Sequence, residues 1–475
     1  MLETVNSLRP AFGDRRVFER FQRLVFGMLT TEDRRTITAL LEATGRTQCD
    51  WSADYRLFSR AAWDGHEVFA LLLPKIIDLY PSSQQTIVAA LDDTNVRKTG
   101  THIPGVAYRR DPMSPPFQTN LIRAQRFVQT SIAVPFASKG AAARAIPVAF
   151  DHAPSAGKLP KNASEEDTQR HRERERTLKL STCAITAMRR LRERLDQAGT
   201  GERMLLMSVD GSYTNGDVLK NLPPNTRLIG RIRKDAVLND LPVPHEGRGR
   251  PRVYGTAITP EEFRKDEAVA WTSVRIFAAG TEHDCDVKER RPLLWRASGR
   301  QIPVRLIVIR ALSYRLTKHS RLLYRQPAHL ITTDMTSPLA ELVQAYFWRW
   351  DIEVNHRDEK QLIGVGHAQV RSPRSAERVP AFAVACYSIL LISAAHAFGV
   401  AAADPVTVLP KWLATSRRKP VRLPTRQLLR RLRTEHLSSP IALPNFDHFD
   451  VNVARHMKSA KNAVSLSDAL HHALN

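Results

Sequence analysis

Residues 379–403, VPAFAVACYSILLISAAHAFGVAAA, contain no formally charged side chain. An apolar stretch of that length is long enough to cross a bilayer, which takes roughly 20 residues. It is also rich in Ala and interrupted by Pro380, Ser388, Ser393 and His396. A helix that is apolar on every side belongs either in lipid or at the centre of a large domain, with other layers packed around its whole circumference. The Ala content and the polar interruptions favour the second, so the expectation is a buried core helix in a soluble protein.

The rest of the chain has the material for such layers. At 475 residues it is long enough for about three domains. Lys and Arg number 71 against 48 Asp and Glu, a formal charge of +23. That excess points to a polyanionic partner, because neutralising phosphates releases their counterions. Nucleic acid comes first and an anionic membrane surface second. Cys49, Cys183, Cys285 and Cys386 are far apart and form no C-x-x-C pair. Free thiols in a reducing compartment are expected, and a cysteine-based zinc site is not. The first thirty residues include Asp14, Glu19 and several arginines without a continuous apolar run, so no secretory signal is expected and the expected location is cytoplasmic.

The first ninety residues read as helices. VFERFQRLVFGML (17–29) has helical apolar spacing, and TTEDRRTITALLEATG (30–45) opens with a capping pattern at Thr30 or Thr31 and closes at Gly45. WSADYRLFSRAAW (51–63) is again amphipathic, with Arg56 and Arg60. Helices joined by a short turn suit a helix-turn-helix DNA reader and a plain helical bundle equally. From about residue 85 the texture changes. QTIVAALDDT (85–94), SIAVPFAS (131–138), AIPVAF (145–150), RMLLMSVDGSYTN (203–215) and RLIGRIR (227–233) read as strands, with a charged helix over 164–197. Three strands, a crossover helix and two more strands is the order of a ribonuclease H-like sheet, although generic α/β folds share the alternation. Between 234 and 334 a basic, turn-rich stretch (244–255) precedes four strand-like runs at 273–280, 292–297, 302–312 and 329–334.

The expected fold class is therefore α/β: a ribonuclease H-like catalytic core with a β-rich insertion and an all-α N-terminal domain. The expected division is a helical DNA-binding domain at 1–84, the first part of the core at 85–233, the insertion at 234–334, the catalytic and buried helices of the core at 335–404, and a basic helical region at 405–475.

Acids fall at telling places in that order. Asp92 or Asp93, and Asp210, stand at the C-terminal ends of apolar strands, and Glu353 lies on a helix that follows the last strand of the sheet. In YFWRWDIEVNHRDEK (346–360), Tyr346, Arg349, Glu353 and Lys360 are separated by three, four and seven residues. On a regular helix those steps keep all four within an arc of roughly 60°. A lone strand-end Asp is usually a turn residue, and a mixed-charge helix face is usually just solvated. Three carboxylates on adjacent rigid elements beside two cations are harder to dismiss. They can hold two Mg²⁺ ions through oxygen ligands, as needed to activate a water and stabilise the leaving oxygen of a phosphodiester.

Tyr346, Arg349, Glu353 and Lys360 fit Y-x2-R-x3-E-x6-K, which resembles the third motif of the bacterial insertion-sequence DDE transposases of the cut-and-paste class. LDDT (91–94) resembles their first acidic motif, and VDGSYTN (209–215), with Tyr213, resembles the second. The resemblance implies that Asp92, Asp210 and Glu353 are the catalytic, metal-binding triad of a two-metal Mg²⁺ site in which Mn²⁺ substitutes. Asp92 is preferred to Asp93 because the family's acid stands two residues before the Thr, here Thr94. Arg349 and Lys360 would bind phosphate, and Tyr346 would position it. Also implied are double-stranded DNA as partner, both element ends and target, and a homodimer in the synaptic complex. No membrane partner is expected. In the insertion, Trp271 and Trp295 are either base-stacking or packed residues. The string Arg248, Gly249, Arg250, Pro251 is either a minor-groove contact or a flexible basic loop.

The expected function is that of a DNA transposase, with metal-dependent hydrolysis at the element ends followed by strand transfer. The alternatives are a ribonuclease H-like nuclease without strand transfer and a catalytically decayed DNA-binding protein. The chain has no G-x-x-x-x-G-K-[ST] loop, no G-x-S-x-G elbow and no H-E-x-x-H pair, and GVGHAQ (364–369) lacks the third glycine of a dinucleotide turn. His356, close to the acid-bearing face, reads as a phosphate contact or a packed residue.

Overall fold

The computed structural model describes residues 1–83, 85–111, 114–115, 117–136, 142–243, 251–314, 320–321, 323–324, 326–401 and 422–438. Arg248, Gly249 and Arg250, and most of the basic region expected at 405–475, lie outside them.

Five helices open the chain: α1 (Leu2–Asn6), α2 (Arg15–Thr30), α3 (Ile37–Ala43), α4 (Ser52–Ser59) and α5 (Gly65–Ile77). Asp14 caps α2 by accepting from the N–H of Arg16 at 2.6 Å, and Thr36 caps α3 by accepting from Ala39 at 3.2 Å. The cap expected at Thr30 or Thr31 is thus corrected to Thr36. The reason is that the two earlier hydroxyls turn backwards, donating to the carbonyls of Phe26 (2.8 Å) and Gly27 (2.6 Å), and so finish α2 instead of starting α3.

The sheet follows: β1 (Ile87–Arg97), β2 (Ala107–Arg110), β3 (Leu121–Pro135) and β4 (Ala143–His152), then α6 (Glu165–Leu178) and α7 (Leu180–Gln197), then β5 (Leu205–Val209), α8 (Gly216–Lys220) and β6 (Thr226–Arg231). The single charged helix expected over 164–197 is two, because Lys179 between them is extended at ψ 136°. α6 has no buried residue, whereas α7 buries Ala184, Met188, Leu191 and Leu195. The next stretch contributes β7 (Leu238–Asn239), β8 (Ala257–Ile258), α9 (Pro260–Lys265), β9 (Thr272–Ala278), β10 (Thr281–Trp295), β11 (Pro303–Ile309), β12 (Ser313–Tyr314), β13 (Leu323–Tyr324) and β14 (Ala328–Thr332). Last come α10 (Leu339–Trp348), α11 (Trp350–Asp358), a π-turn (Glu359–Ile363), α12 (Pro373–Phe398) and α13 (Thr425–Ser438).

Twelve strands form one mixed sheet. From β4 the hydrogen-bonded path runs through β3, β1, β5, β6, β14, β11 and β10, with β2 also on β3 and β9 also on β10. β1 pairs antiparallel with β3 and parallel with β5, and β5 pairs parallel with β6. Most strands of 234–334 continue this sheet, since β14 bonds β6 directly through Leu330↔Arg231 and Ile331↔Gly230, whereas β12 and β13 pair with each other as a separate hairpin.

α12 holds the apolar run of residues 379–398, and it packs against β4, α2, α4 and α5. Phe382 is fully buried there, its ring centroid 5.3 Å from those of both Phe21 and Phe58. Protein surrounds the helix that composition alone would let cross a membrane, and its core is continuous with that of the opening helices.

Candidate active site

The pleat of the sheet decides which acids meet. β1 and β5 run in parallel register from Ile87↔Leu205 to Leu91↔Val209, so one step further along each chain stand Asp92 and Asp210. Side chains alternate faces along a strand. Val88, Ala90 and Asp92 therefore share a face with Leu206, Ser208 and Asp210. That is the face on which Leu342, Val343 and Ala345 of α10 pack against Val88 and Leu206. Asp93 points the other way, where its Oδ1 accepts from the hydroxyl of fully buried Tyr213 at 2.9 Å. Of the two adjacent aspartates, Asp92 is the one that joins Asp210.

Each carboxylate is held by its own backbone. Asp92 Oδ1 accepts from the N–H of Asp93 at 2.8 Å. Asp210 accepts from the N–H of Ser212 at 2.9 Å and from its hydroxyl at 3.3 Å, while the Asp210 carbonyl takes the Thr214 hydroxyl at 2.8 Å. This turn leans on Gly230 of β6, where a Cβ would stand 2.0 Å from Thr214 Oγ1. A side chain at 230 would push the turn, and Asp210 with it, off the sheet. Burial, followed by the charge of Asp210, pushes the Asp92 carboxyl up to about 7, with Arg349 pulling the other way.

The third acid arrives on a helix less regular than its spacing suggested. Arg349 N–H donates to the Tyr346 carbonyl at 3.2 Å and Ile352 N–H to the Arg349 carbonyl at 3.1 Å, both three-residue steps tighter than an α-helix. The π-turn that follows is wider, and Gly364 ends it at φ 67°. The uniform four-residue face is corrected to a tight turn, a short helix and a wide turn. Arg349 nonetheless reaches its neighbours. Its Nη1 is 3.5 Å from Asp92 Oδ2, its Nη2 is 3.3 Å from Glu353 Oε1, and its Cζ lies 5.9 Å from the Tyr346 ring centroid. One guanidinium thus links the first acid to the third, with its own Nε buried and unpartnered. Lys360 lies in the wide turn. Desolvation lowers the pKa of its ammonium, and nearby acids, Asp111 and Asp92 among them, partly offset that. His356 is a packed residue: burial first, then Lys360 and Arg349, push its imidazole down to about 3, so it is neutral.

Among the described residues, no three Asp, Glu, His or Cys side chains converge closely enough to hold an ion as they stand. The donor chemistry still suits a hard divalent cation. Two carboxylates share one face, and one of them is protonated more readily because of the other. The positive charge between Asp92 and Glu353 is supplied by Arg349.

Beside the Asp210 turn opens a cleft of about 920 Å³. Gly211 and Thr214 form one wall, and Arg231, Arg233, Lys234, Arg264 and Arg310 make the lining cationic, with Glu261 the acid among them. Trp295 lines it too, whereas Trp271 lies beneath Lys288 Nζ, 4.7 Å from the ring centroid. On the outer side of α11, Asp351 accepts from Arg422 at 2.9 and 3.0 Å, and Asp358 accepts from the Thr425 hydroxyl at 2.7 Å. These contacts dock α13 behind the helix of Glu353.

A parallel strand pair thus carries two adjacent acids, with a third acid on a later helix linked to the first through Arg349 and a cationic cleft alongside. The DDE superfamily endonuclease family model matches residues 7–301, and the chain belongs to that family. Membership implies a ribonuclease H-like fold, DNA as the substrate, phosphodiester hydrolysis and the use of divalent metal. The matched residues take in Asp92 and Asp210 and stop before α10. No curated protein matches the sequence.

Sequence reasoning overlooked Ser212, Gly230, Gln129 and Glu359. Only Ser212 left a local signal, since D-x-S is a turn in which the aspartate accepts from the residue two positions on.

Proposed function

We propose that the chain is a DNA transposase, hydrolysing the phosphodiester at the ends of an insertion sequence and then joining the freed 3′ end to target DNA. The observation that supports this reading most is the placement of Asp92 beside Asp210 on one sheet face, with Arg349 tying Asp92 to Glu353. Mg²⁺ or Mn²⁺ held by Asp92, Asp210 and Glu353 would supply the Lewis acid for an attacking and a leaving oxygen.

The remaining work belongs to the chain's own groups. Arg349 can exchange its two carboxylates for a phosphate, which its planar fork matches equally well. Lys360 adds a second cation to the same scissile group, and Tyr346 backs the guanidinium. Tyr213 holds Asp93 on the far face, and the cleft cations lead the strand away from the Asp210 turn. The domain division given above, the cytoplasmic location and a dimer bridging two element ends complete the proposal.

The test uses purified protein, a duplex carrying the DNA that flanks its own gene, supercoiled target and Mg²⁺ or Mn²⁺. Nicking at the element boundary and joined product should both appear. Nicking without joining would leave a nuclease, and binding without either would leave a decayed binder. Arg349→Ala and Lys360→Ala should each flatten the salt dependence of end binding by about one unit of log–log slope, the value of one lost phosphate contact. Unchanged slopes in both would return the helix face to a purely structural role.

A further inference from the structure

Gln129 on β3 is the direct partner of Asp92 on β1. Residues opposed across an antiparallel pair point to the same side, so whatever grips Gln129 also sits next to Asp92. The grip comes from the Glu353 segment. Gln129 Nε2 donates to Glu359 Oε1 at 2.8 Å and to Ser131 Oγ at 3.2 Å, and Ser131 Oγ also accepts from Asn355 Nδ2 at 3.1 Å. Two helix residues one turn apart thus hold two strand residues on one face. All four are buried, with Glu359 1% exposed and Gln129 fully enclosed. A polar lattice in a water-free setting tolerates little displacement, because every broken bond leaves a buried group unmatched.

We infer that Glu359 is a positioning residue: bonded to Gln129, it clamps the helix that carries Glu353 to the strand that carries Asp92, and so sets the spacing of the first and third acids. This rests on the assignment of those acids to the reaction. The wide turn starts at Glu359 itself, so the chain buries this side chain and presents the next, Lys360, at the surface. An ionised carboxylate would leave Oε2 charged with no partner, since that oxygen is buried and unbonded. Burial pushes the Glu359 carboxyl up to about 8, with the Gln129 bond and Lys360 pulling down and Asp358 pushing up. Tyr387 of α12 is the further titratable group that feels its charge.

Glu359→Gln keeps the bond and the neutrality, whereas Glu359→Leu keeps the volume and loses the bond. In full-length protein with end duplex and Mn²⁺, Glu359→Gln should cleave within about threefold of wild type. Glu359→Leu should lose about a hundredfold in single-turnover rate, the cost of a slight misplacement of reacting groups, with end affinity held within about twofold. Near wild-type cleavage by Glu359→Leu, or equal damage in both variants, would overturn the inference.

Melting supplies a readout that needs no catalysis. An acid whose folded pKa is about 8 against an ordinary 4.5 is most favourable to the fold below 4.5, and it costs stability progressively as pH rises to 8. Glu359→Gln should therefore melt above wild type at pH 8, the gap closing towards pH 4.5. Identical melting curves across that range would refute the neutral clamp. A wild-type protein that shows this gap but neither nicks DNA nor binds Mn²⁺ would instead defeat the transposase reading, and the positioning role with it.

Discussion

Asp210→Asn, and independently Glu353→Gln, should lower metal-dependent cleavage of end DNA by about a thousandfold or more, the rate equivalent of the several kcal/mol that a divalent ion supplies to the charge of the transition state. End affinity should stay within about twofold, because binding is dominated by phosphate contacts that these acids do not make. Asp210 has a stringent form of this test. Its carboxylate also organises the turn through Ser212, and asparagine keeps one oxygen for the Ser212 N–H, so the turn survives while the donor set is weakened. Asp93→Asn serves as the control, since its side chain faces Tyr213 on the opposite side. It should retain far more activity than Asp92→Asn. Cleavage at wild-type rates by Asp210→Asn or Glu353→Gln, measured with end duplex in Mg²⁺ and in Mn²⁺, would remove that residue from the site.

Phe382→Ala should destabilise the protein by about 3–5 kcal/mol, the usual cost of emptying an aromatic site in a packed core. Phe382 is fully buried, and its ring meets Phe21 and Phe58 edge-on. The lost volume would open between α12, which is packed on β4, and α2 and α4 from the other end of the chain. Denaturant unfolding of the full chain reads the effect as a fall in midpoint at unchanged slope. A midpoint that does not move would mean that α12 is not the centre of the core, and the lipid-spanning reading of residues 379–403 would return.

The two predictions draw on different kinds of legibility. Strands and helices were readable wherever one face is buried, because a repeating apolar position is the local imprint of a core. The run ending in LDDT became β1, the run ending in VDG became β5, and VFERFQRLVFGML became α2. Errors arose where a local pattern has two solutions. Thr30 and Thr31 can cap a new helix or close an old one, and in the fold their hydroxyls donate back to the carbonyls of Phe26 and Gly27. The charged stretch at 164–197 kept its helical pattern across Lys179, so a break that alters one ψ angle left no trace in it. β2 and the first half of β10, part of which pairs with β9, were missed because exposed strand pairs need no strict apolar alternation.

The sequence by itself determined the inventory of this protein. Its charge of +23, the order of its elements, a helix too apolar to lie on a surface, and three acids with two cations at suggestive spacings are all properties of single segments. Tertiary structure decided how those segments address one another. Strand pattern alone leaves Asp92 and Asp93 open and the family resemblance prefers Asp92, but it is the register Leu91↔Val209 that puts the first beside Asp210 and turns the second away. Arg349 was one cation on a helix face until the approach of α11 to β1 set it between Asp92 and Glu353. Nothing in the sequence singles out Glu359 next to Lys360, yet pairing of β3 with β1 and a single widened turn bury it against Gln129. The physical reason is common to all three. Burial and periodicity are set along the chain, whereas the face, register and partner of a polar side chain are set by residues hundreds of positions away, and only the folded sheet brings them within a hydrogen bond of each other.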